Sequence, residues 1–230
     1  MKAAELLPIL ALAVASCHSS PDEGDSALEG PPAVEPVIGQ FQLVDAATGK
    51  GFAGGTLTLG QATAQTDTQG RASLEVPPGA FDVKLTGPNI STYTLAGAAG
   101  AVDFSFISYV STRKTTSQVA AFLGTTIDPT RGILVVAADD PQLKPAIGAK
   151  IGIDAEADAP FVLSSTGPKR GDTVVAGGSF VSFFNVAPGS VNIDVTPPAG
   201  RTCHVAPGPG PRDAVNVSAD GVTVIAYVCE

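Results

Sequence analysis

Apolar and polar residues alternate over many short stretches of this chain, the pattern of half-buried β-strands. Two stretches show it most clearly, with apolar side chains at every second position: Phe81, Val83, Leu85, and Val191, Ile193, Val195. Shorter stretches of the same kind lie near residues 38–46, 55–60, 149–155 and 221–230. The continuous apolar run at 132–138 predicts a central strand instead. The chain is therefore predicted to be all-β.

One phrase occurs twice. EVPPGAFDVKLTGP occupies residues 75–88 and NVAPGSVNIDVTPP occupies residues 185–198. In each copy a proline followed by a glycine separates two apolar stretches, at Pro78-Gly79 and Pro188-Gly189. Proline fixes φ and glycine accepts unusual φ, so each pair predicts a tight reversal. The repeat predicts two β-sandwich domains of similar build, over residues 38–110 and 132–230.

Residues 111–131 between these domains are predicted to be a helical linker. Val119, Phe122 and Leu123 fall at helical spacing, which would place them on one apolar face packed against a sandwich. Ser117 is the expected N-cap and Gly124 the expected C-cap. The predicted architecture is thus two β-sandwich domains joined by a short helix.

Residues 1–16 read as an export signal. The apolar run from Leu6 to Ala15 is too short to span a bilayer and has the length of a signal-peptide core. Val14-Ala15-Ser16-Cys17 resembles a bacterial lipobox, and the resemblance implies cleavage before Cys17 and lipidation of that cysteine. A plain secretory signal with an incidental cysteine is the alternative.

Residues 17–37 are acidic and proline-rich, with almost no large apolar side chains. Such a segment is predicted to be a disordered tether, because it cannot bury enough surface to offset its ordering entropy. By resemblance to lipoprotein sorting signals, His18 stands where an inner-membrane retention aspartate would. The expected location is therefore the cell envelope, with a lipid anchor and the outer membrane favoured.

Cys203 and Cys229 are the cysteines that remain after Cys17. Export would place them in an oxidising compartment, so they are predicted to form one disulfide. Closing a loop of this length contributes roughly 3 kcal/mol to stability. Two buried free thiols are the alternative.

The net charge and composition of the chain limit the classes of partner that it can bind. The net charge is −9, which argues against nucleic acid because phosphate binding needs a basic surface. The chain has no Trp, which weakens any expectation of sugar stacking.

The segment DTQGRASLEVPPGAFDVKLTGP resembles the carboxypeptidase regulatory-like domains, which share a transthyretin-like, prealbumin-type β-sandwich. An Asp–Gly turn, an apolar strand, a PPG reversal and an alternating strand carry the resemblance: Asp67, Gly70, Leu74, Val76, Pro78, Gly79, Phe81, Val83 and Leu85. The second copy departs from this pattern in its turn. The resemblance implies that the two domains are transthyretin-like or immunoglobulin-like β-sandwiches. It also implies an accessory module of envelope or secreted proteins, which stiffens, spaces, or binds proteins or glycans.

Candidate chemistry is sparse. His204 is the one histidine in the predicted domains, and no Gly-x-Ser-x-Gly elbow or zinc-binding His pair accompanies it. An enzyme would need a pocket that joins His204 to acids from elsewhere. No catalytic residue and no cofactor is therefore predicted.

Asp154, Glu156 and Asp158 alternate along one stretch and could converge on Ca²⁺. The pattern is not an EF-hand, because Ala159 stands at the glycine position. A solvated strand end that discourages edge pairing is the alternative.

These patterns predict a non-enzymatic cell-envelope lipoprotein that presents two β-sandwich modules for structural or protein-binding roles. The membrane, through the acyl anchor, and an envelope protein or glycan are its expected partners. A carbohydrate-binding module at the cell surface is the alternative, and it would need exposed, coplanar rings from Tyr93, Tyr109, Tyr227 or the phenylalanines. Phe52, Phe180, Phe183 and Phe184 are predicted to be core residues.

Overall fold

The computed structural model describes residues 35–164, 166–208, 212 and 214–230. The regular secondary structure of the described part is β-strand apart from one helix, which confirms the predicted all-β class. Its strands are β1 (Val37–Asp45), β2 (Thr56–Leu59), β3 (Ala62–Gln65), β4 (Arg71–Val76), β5 (Gly79–Thr86), β6 (Thr92–Ala99), β7 (Phe104–Val110), β8 (Gly132–Asp139), β9 (Lys150–Ile153), β10 (Phe161–Ser164), β11 (Gly167–Arg170), β12 (Phe180–Val186), β13 (Gly189–Thr196), β14 (Cys203–Val205), β15 (Ala214–Val217) and β16 (Gly221–Cys229). The helix α1 (Arg113–Phe122) lies between β7 and β8 in sequence.

A ten-stranded sheet, called the main sheet here, runs through both predicted domains. Its strand order is β11-β10-β12-β8-β16-β6-β5-β2-β3, and β14 pairs with the end of β16. β16 stands between β8 and β6 and is parallel to both. Two three-stranded sheets complete the fold, β4-β1-β7 and β15-β13-β9.

The two small sheets cover opposite faces of the main sheet. Successive side chains of a strand point to opposite faces, and Val224 and Ile225 of β16 belong to different core clusters. The first core also contains Phe41 and Phe106 from sheet β4-β1-β7, whereas the second contains Ile151 and Val191 from sheet β15-β13-β9. Each small sheet therefore buries its apolar face against one half of the main sheet.

The prediction of two separate sandwich domains is not confirmed. Residues 34–230 form one compact unit, because the parallel pairing of β16 with β6 and β8 continues the main sheet from one segment into the other. The boundaries at residues 110 and 132 stay predictions.

In both copies of the repeated phrase, the chain passes from one sheet to another. β4 belongs to a small sheet and β5 to the main sheet, while β12 belongs to the main sheet and β13 to a small sheet. The reversal glycines, Gly79 and Gly189, have φ of 105° and 136°, which favour glycine. The predicted reversals are confirmed, and the two copies pass between the layers in opposite order.

The predicted turn at Asp67–Gly70 is also confirmed. The Asp67 carboxylate accepts hydrogen bonds from the main-chain N–H groups of Gln69 and Arg71, each at 2.8 Å. These bonds hold the pKa of Asp67 below its ordinary value. Gly70 has φ of 76°, and its carbonyl accepts from Leu43 N at 2.8 Å. The turn thus ties β4 to β1.

The helix exists, but two of its predicted details are wrong. The Thr112 hydroxyl, not Ser117, caps it by accepting from Thr115 N. Ala120 is the buried residue, and Phe122 is 71% exposed rather than packed. Val119 and Leu123 pack against the first core as predicted. Phe122 lies about 200° around the helix from Ala120, at 3.6 residues per turn, and therefore faces solvent. Gly124 has φ of 71° directly after the cap residue Leu123.

No helix in the described ranges is long and apolar enough to cross a membrane. The predicted export signal, Cys17 and most of the predicted tether lie outside the described residues.

Candidate functional site

Cys203 and Cys229 form the predicted disulfide, with an S–S distance of 2.03 Å. They face each other across the antiparallel pair of β14 and β16. The flanking residues Thr202 and Glu230 exchange two main-chain hydrogen bonds, which hold the cysteines in register. The disulfide therefore fastens β14 to the centre of the main sheet.

His204 lies beside this disulfide. Its Nδ1 is 3.9 Å from Glu230 Oε1, and the imidazole is about one-third exposed, at 34%. A nucleophilic triad needs a hydroxyl or thiol within hydrogen-bond reach of the histidine. The nearest sulfur in sequence, that of Cys203, is held in the disulfide. The arrangement places the imidazole beside a carboxylate at the surface.

The three acids proposed for calcium have separate partners. Asp154 accepts from the main-chain N–H and the side-chain amide of Asn192, and these bonds lower its pKa. Glu156 pairs with Arg131 at 3.0 Å, whereas Asp158 accepts from the Thr125 hydroxyl. Among the described residues, no group of three or more His, Cys, Asp or Glu is placed to hold a metal ion. Each carboxylate serves its own contact, and we do not propose calcium binding.

The tyrosines do not form a platform for a sugar ring. Tyr93 and Tyr227 are buried, and burial raises the pKa of both phenols. Tyr109 is 60% exposed on β7. In the described part of the chain the ring contacts are all between phenylalanines: Phe41, Phe81, Phe104, Phe106, Phe161 and Phe184. A glycan would meet single exposed rings, not a coplanar pair.

The phenylalanines predicted as core residues behave as expected. Phe52, Phe183 and Phe184 are buried, and Phe180 is half-buried at the start of β12.

Asn185 is a structural hub that the sequence pattern does not predict. It interrupts β12 at a register shift and has φ of 54°, a conformation that asparagine tolerates better than most residues. Its amide accepts from Asp128 N and donates to Thr126 O and Asp158 Oδ2, at 2.8 to 2.9 Å. The Arg131 guanidinium donates to the main-chain carbonyl of Asn185. This one side chain fixes the segment after α1 against the main sheet.

Arg212 is a second such residue, and it joins the two halves of the fold. Its side chain is only 6% exposed. Its Nη1 donates to the carbonyls of Phe81 and Gly97, and its Nη2 donates to the Asp82 carboxylate. The guanidinium thus pins the segment before β15 onto β5 and β6. Gly97 is itself closely packed, since a Cβ there would lie 2.5 Å from the Phe81 ring and 2.9 Å from Ala206 O.

Two shallow grooves flank Asp220 in the turn before β16. Their volumes are about 380 and 310 Å³. Arg113 donates to both carboxylate oxygens of Asp220, at 2.8 and 2.9 Å, on the ridge that the grooves share. Their linings include serines and threonines but neither His204 nor an aromatic ring. The grooves can form hydrogen bonds, but they bring no nucleophile and base together.

Asp139, the last residue of β8, has a buried Oδ1 without a hydrogen-bond partner. Burial raises the pKa of this carboxyl above its ordinary value, against a hydrogen bond with Ser179. The folded protein therefore holds the proton to higher pH than the unfolded chain does. Stability falls as the pH rises through that window.

The substitution Asp139→Asn should raise Tm at pH 7 by about 2–4 °C, because a neutral amide removes the penalty of burying a charge. The gain should vanish below the ordinary Asp pKa of 3.8, where the wild-type carboxyl is also protonated. Thermal melts at pH 7 and pH 3 test this. Asp194→Asn, at an exposed position of β13, is the charge-matched control. An unchanged or lower Tm at pH 7 contradicts the prediction.

No protein-family model matches this chain, and no curated protein matches it in sequence. Solved structures of bacterial proteins match at low similarity. The Bacillus anthracis TIE protein shows 12% identity and a TM-score of 0.28 over 85% of this chain, which spans about a third (34%) of that protein. GBS52, a minor pilin of Streptococcus agalactiae, shows 11% identity and a TM-score of 0.28, with 84% of this chain and 94% of the pilin covered.

The shaft pilin SpaA from Lactobacillus rhamnosus GG is similar at the same level, with 11% identity and a TM-score of 0.25 over 85% of this chain and 98% of the pilin. TM-scores this low give no basis for transferring a function. The function must be argued from the residues of this chain.

Proposed function

We propose that this protein is a non-enzymatic, lipid-anchored protein of the cell envelope, whose β-structure serves a structural or protein-binding role. One observation carries the proposal: the residues that the sequence offers as candidates for chemistry, His204, the cysteines and the acids at 154–158, are bound into structural contacts. The acids pair with neighbouring residues, His204 faces Glu230, and the described cysteines are oxidised. The main sheet and Arg212 join both segments into one body, and the disulfide fastens β14 to β16 within the second segment.

The anchor is proposed from the sequence. The apolar run ending at Val14-Ala15-Ser16-Cys17 supports export and acylation of Cys17. Several acyl chains hold a protein firmly, since each buried CH₂ contributes about 0.8 kcal/mol. A disulfide is typical of proteins that reside in an oxidising compartment, which agrees with export.

The substitution Cys17→Ser should move the protein from the membrane fraction to the soluble envelope fraction or the medium. Fractionation of cells, with mass spectrometry of the N-terminal peptide for acyl groups, measures this. Ser20→Ala, three residues beyond the proposed cleavage site, is the control and should stay in the membrane fraction. Continued membrane association of the Cys17→Ser protein would show that the anchor is not at this cysteine.

A glycan-binding role is tested separately. The acylated chain in detergent should not be retained on peptidoglycan or exopolysaccharide, because its exposed rings are not paired. Retention that is lost in Tyr109→Ala would establish the carbohydrate-binding role and replace the structural one.

A further inference from the structure

The strands define a proximal end of the fold, where β1 begins at Val37. β7 is parallel to β1 and begins at the same end, whereas β6, β8 and β16 finish there. The proximal end is therefore formed by the reversal at 77–79 and by the loops 100–103 and 140–149. It is also the end at which the preceding residues, including Cys17, connect to the fold.

Large apolar side chains are exposed at this end. Val102 is 73% exposed in the loop after β6, and Leu143 and Ile147 are 66% and 60% exposed in the loop after β8. Leu163, the second-last residue of β10, lies where that strand finishes at the proximal end, and it is 36% exposed. β6 and β8 flank β16, so the strand ends from which the two loops depart are about 10 Å apart. Loop 100–103 leads to β7 on one face of the main sheet, and loop 140–149 leads to β9 on the other.

The backbone presents Leu143 to solvent in an unusual way. Its φ is 59°, a left-handed conformation that glycine and asparagine adopt more easily than leucine. The Asp140 carboxylate accepts from the N–H groups of Gln142 and Lys144, both at 2.9 Å, and fixes the turn. The fold itself gains nothing from an apolar side chain at this tip. The loop thus holds Leu143 outward at a position where the fold would favour a different residue.

Charge at the proximal end is mixed. The Asp103 carboxylate accepts a hydrogen bond from Ile38 N, and the Asp140 carboxylate accepts from main-chain N–H groups of its own turn. Lys150 forms an ion pair with Asp172 at 3.5 Å. The proximal end therefore has no large surface of one charge, and the contact that it can make with a partner is apolar.

We propose that the proximal end docks onto the lipid surface that holds the acylated Cys17, with Leu143, Ile147 and Val102 inserted among the headgroups. The inference rests on the proposed lipid anchor. The 20 residues from Cys17 to Val37 span at most about 70 Å, so the tether keeps this end within that distance of the membrane. Tethering raises the effective concentration, so a contact made by a few apolar side chains needs less intrinsic affinity than it would in a free protein.

The absence of Trp from the sequence allows a direct test. Leu143→Trp places a single fluorophore at the proposed contact. Phe122→Trp places one on α1, which follows β7 at the opposite end and leaves Phe122 71% exposed. Each full-length acylated protein is reconstituted into phosphatidylethanolamine–phosphatidylglycerol vesicles with brominated acyl chains. We expect quenching of the Leu143→Trp protein to exceed that of the control at least about twofold.

Equal quenching of the two proteins would overturn the proposal. A blue shift of the Leu143→Trp emission without bromine quenching would also overturn it, because protein and not lipid would then cover the loop. Flotation of the vesicles reports the anchor independently. If the protein does not float, the proposed anchor fails. The same protein is then titrated with brominated vesicles, where quenching of Leu143→Trp supports docking and its absence rejects it.

A second variant separates docking from folding. In a chain that carries Ile147→Trp, adding Leu143→Asn should reduce quenching at least about twofold, because one inserted side chain is lost. Its Tm should be unchanged or higher, since asparagine suits the left-handed backbone at this position. Unchanged quenching would contradict a role for Leu143 in the contact.

Discussion

Replacing Gly70 with alanine should destabilise the protein by roughly 3–5 kcal/mol, a loss at the upper end for one substitution. Gly70 has φ of 76°, where an L side chain is strained. Its Cβ would also lie 2.1 Å from Leu43 O and 2.7 Å from Phe52 N, and both are backbone atoms that cannot rotate away. The turn at 67–70 would have to separate from β1. Urea unfolding followed by circular dichroism measures the loss.

Gly60→Ala is the matched control. Gly60 has a similar φ of 58°, but a Cβ added there would meet no atom within 4 Å. Only backbone strain remains at this position, about 1 kcal/mol. Equal losses in the two variants would show that the close packing at Gly70 contributes nothing.

Replacing Arg212 with methionine should cost about 3 kcal/mol. Methionine keeps much of the volume but leaves the carbonyls of Phe81 and Gly97 without their partner and Asp82 without its counter-charge. Asp82 is 41% exposed, so water offsets part of that loss. Chemical unfolding of the oxidised protein measures the difference.

Arg201→Met is the control for Arg212, because Arg201 is exposed and makes one long hydrogen bond of 3.5 Å to Cys229 O. Its loss should stay within about 0.5 kcal/mol. If the two arginine variants unfold alike, Arg212 does not join the halves as described.

The strands could be predicted because alternation marks them directly. Phe81, Val83 and Leu85 are buried where the pattern places them, and β8 is central as its continuous apolar run indicates. The order of the strands within the sheets could not be predicted, because alternation identifies the two faces of a strand but not the strands that pair with it. The shared main sheet therefore does not follow from the repeat, which by itself indicates two independent units of the same build.

The residues that join the fold escape prediction for a similar reason. Arg212 lies in a proline- and glycine-rich stretch that shows no periodicity, and its partners are main-chain carbonyls from a distant part of the chain. Asn185 stands where the first copy of the repeat has Glu75, and only its tolerance of positive φ hints at a role. Helical spacing alone does not fix which residues of α1 face the core. Ala120 does so, and Phe122 lies about 200° around the helix from it, on the solvent side.

The position of β16 determines when this chain can complete its fold. β16 is the most C-terminal strand, yet it lies at the middle of the main sheet and supplies side chains to both cores. A chain that emerges N-terminus first lacks this central strand until the other fifteen strands of the described fold have emerged. The two halves of the main sheet can be joined only when β16 is added, so closure of the fold is its last step.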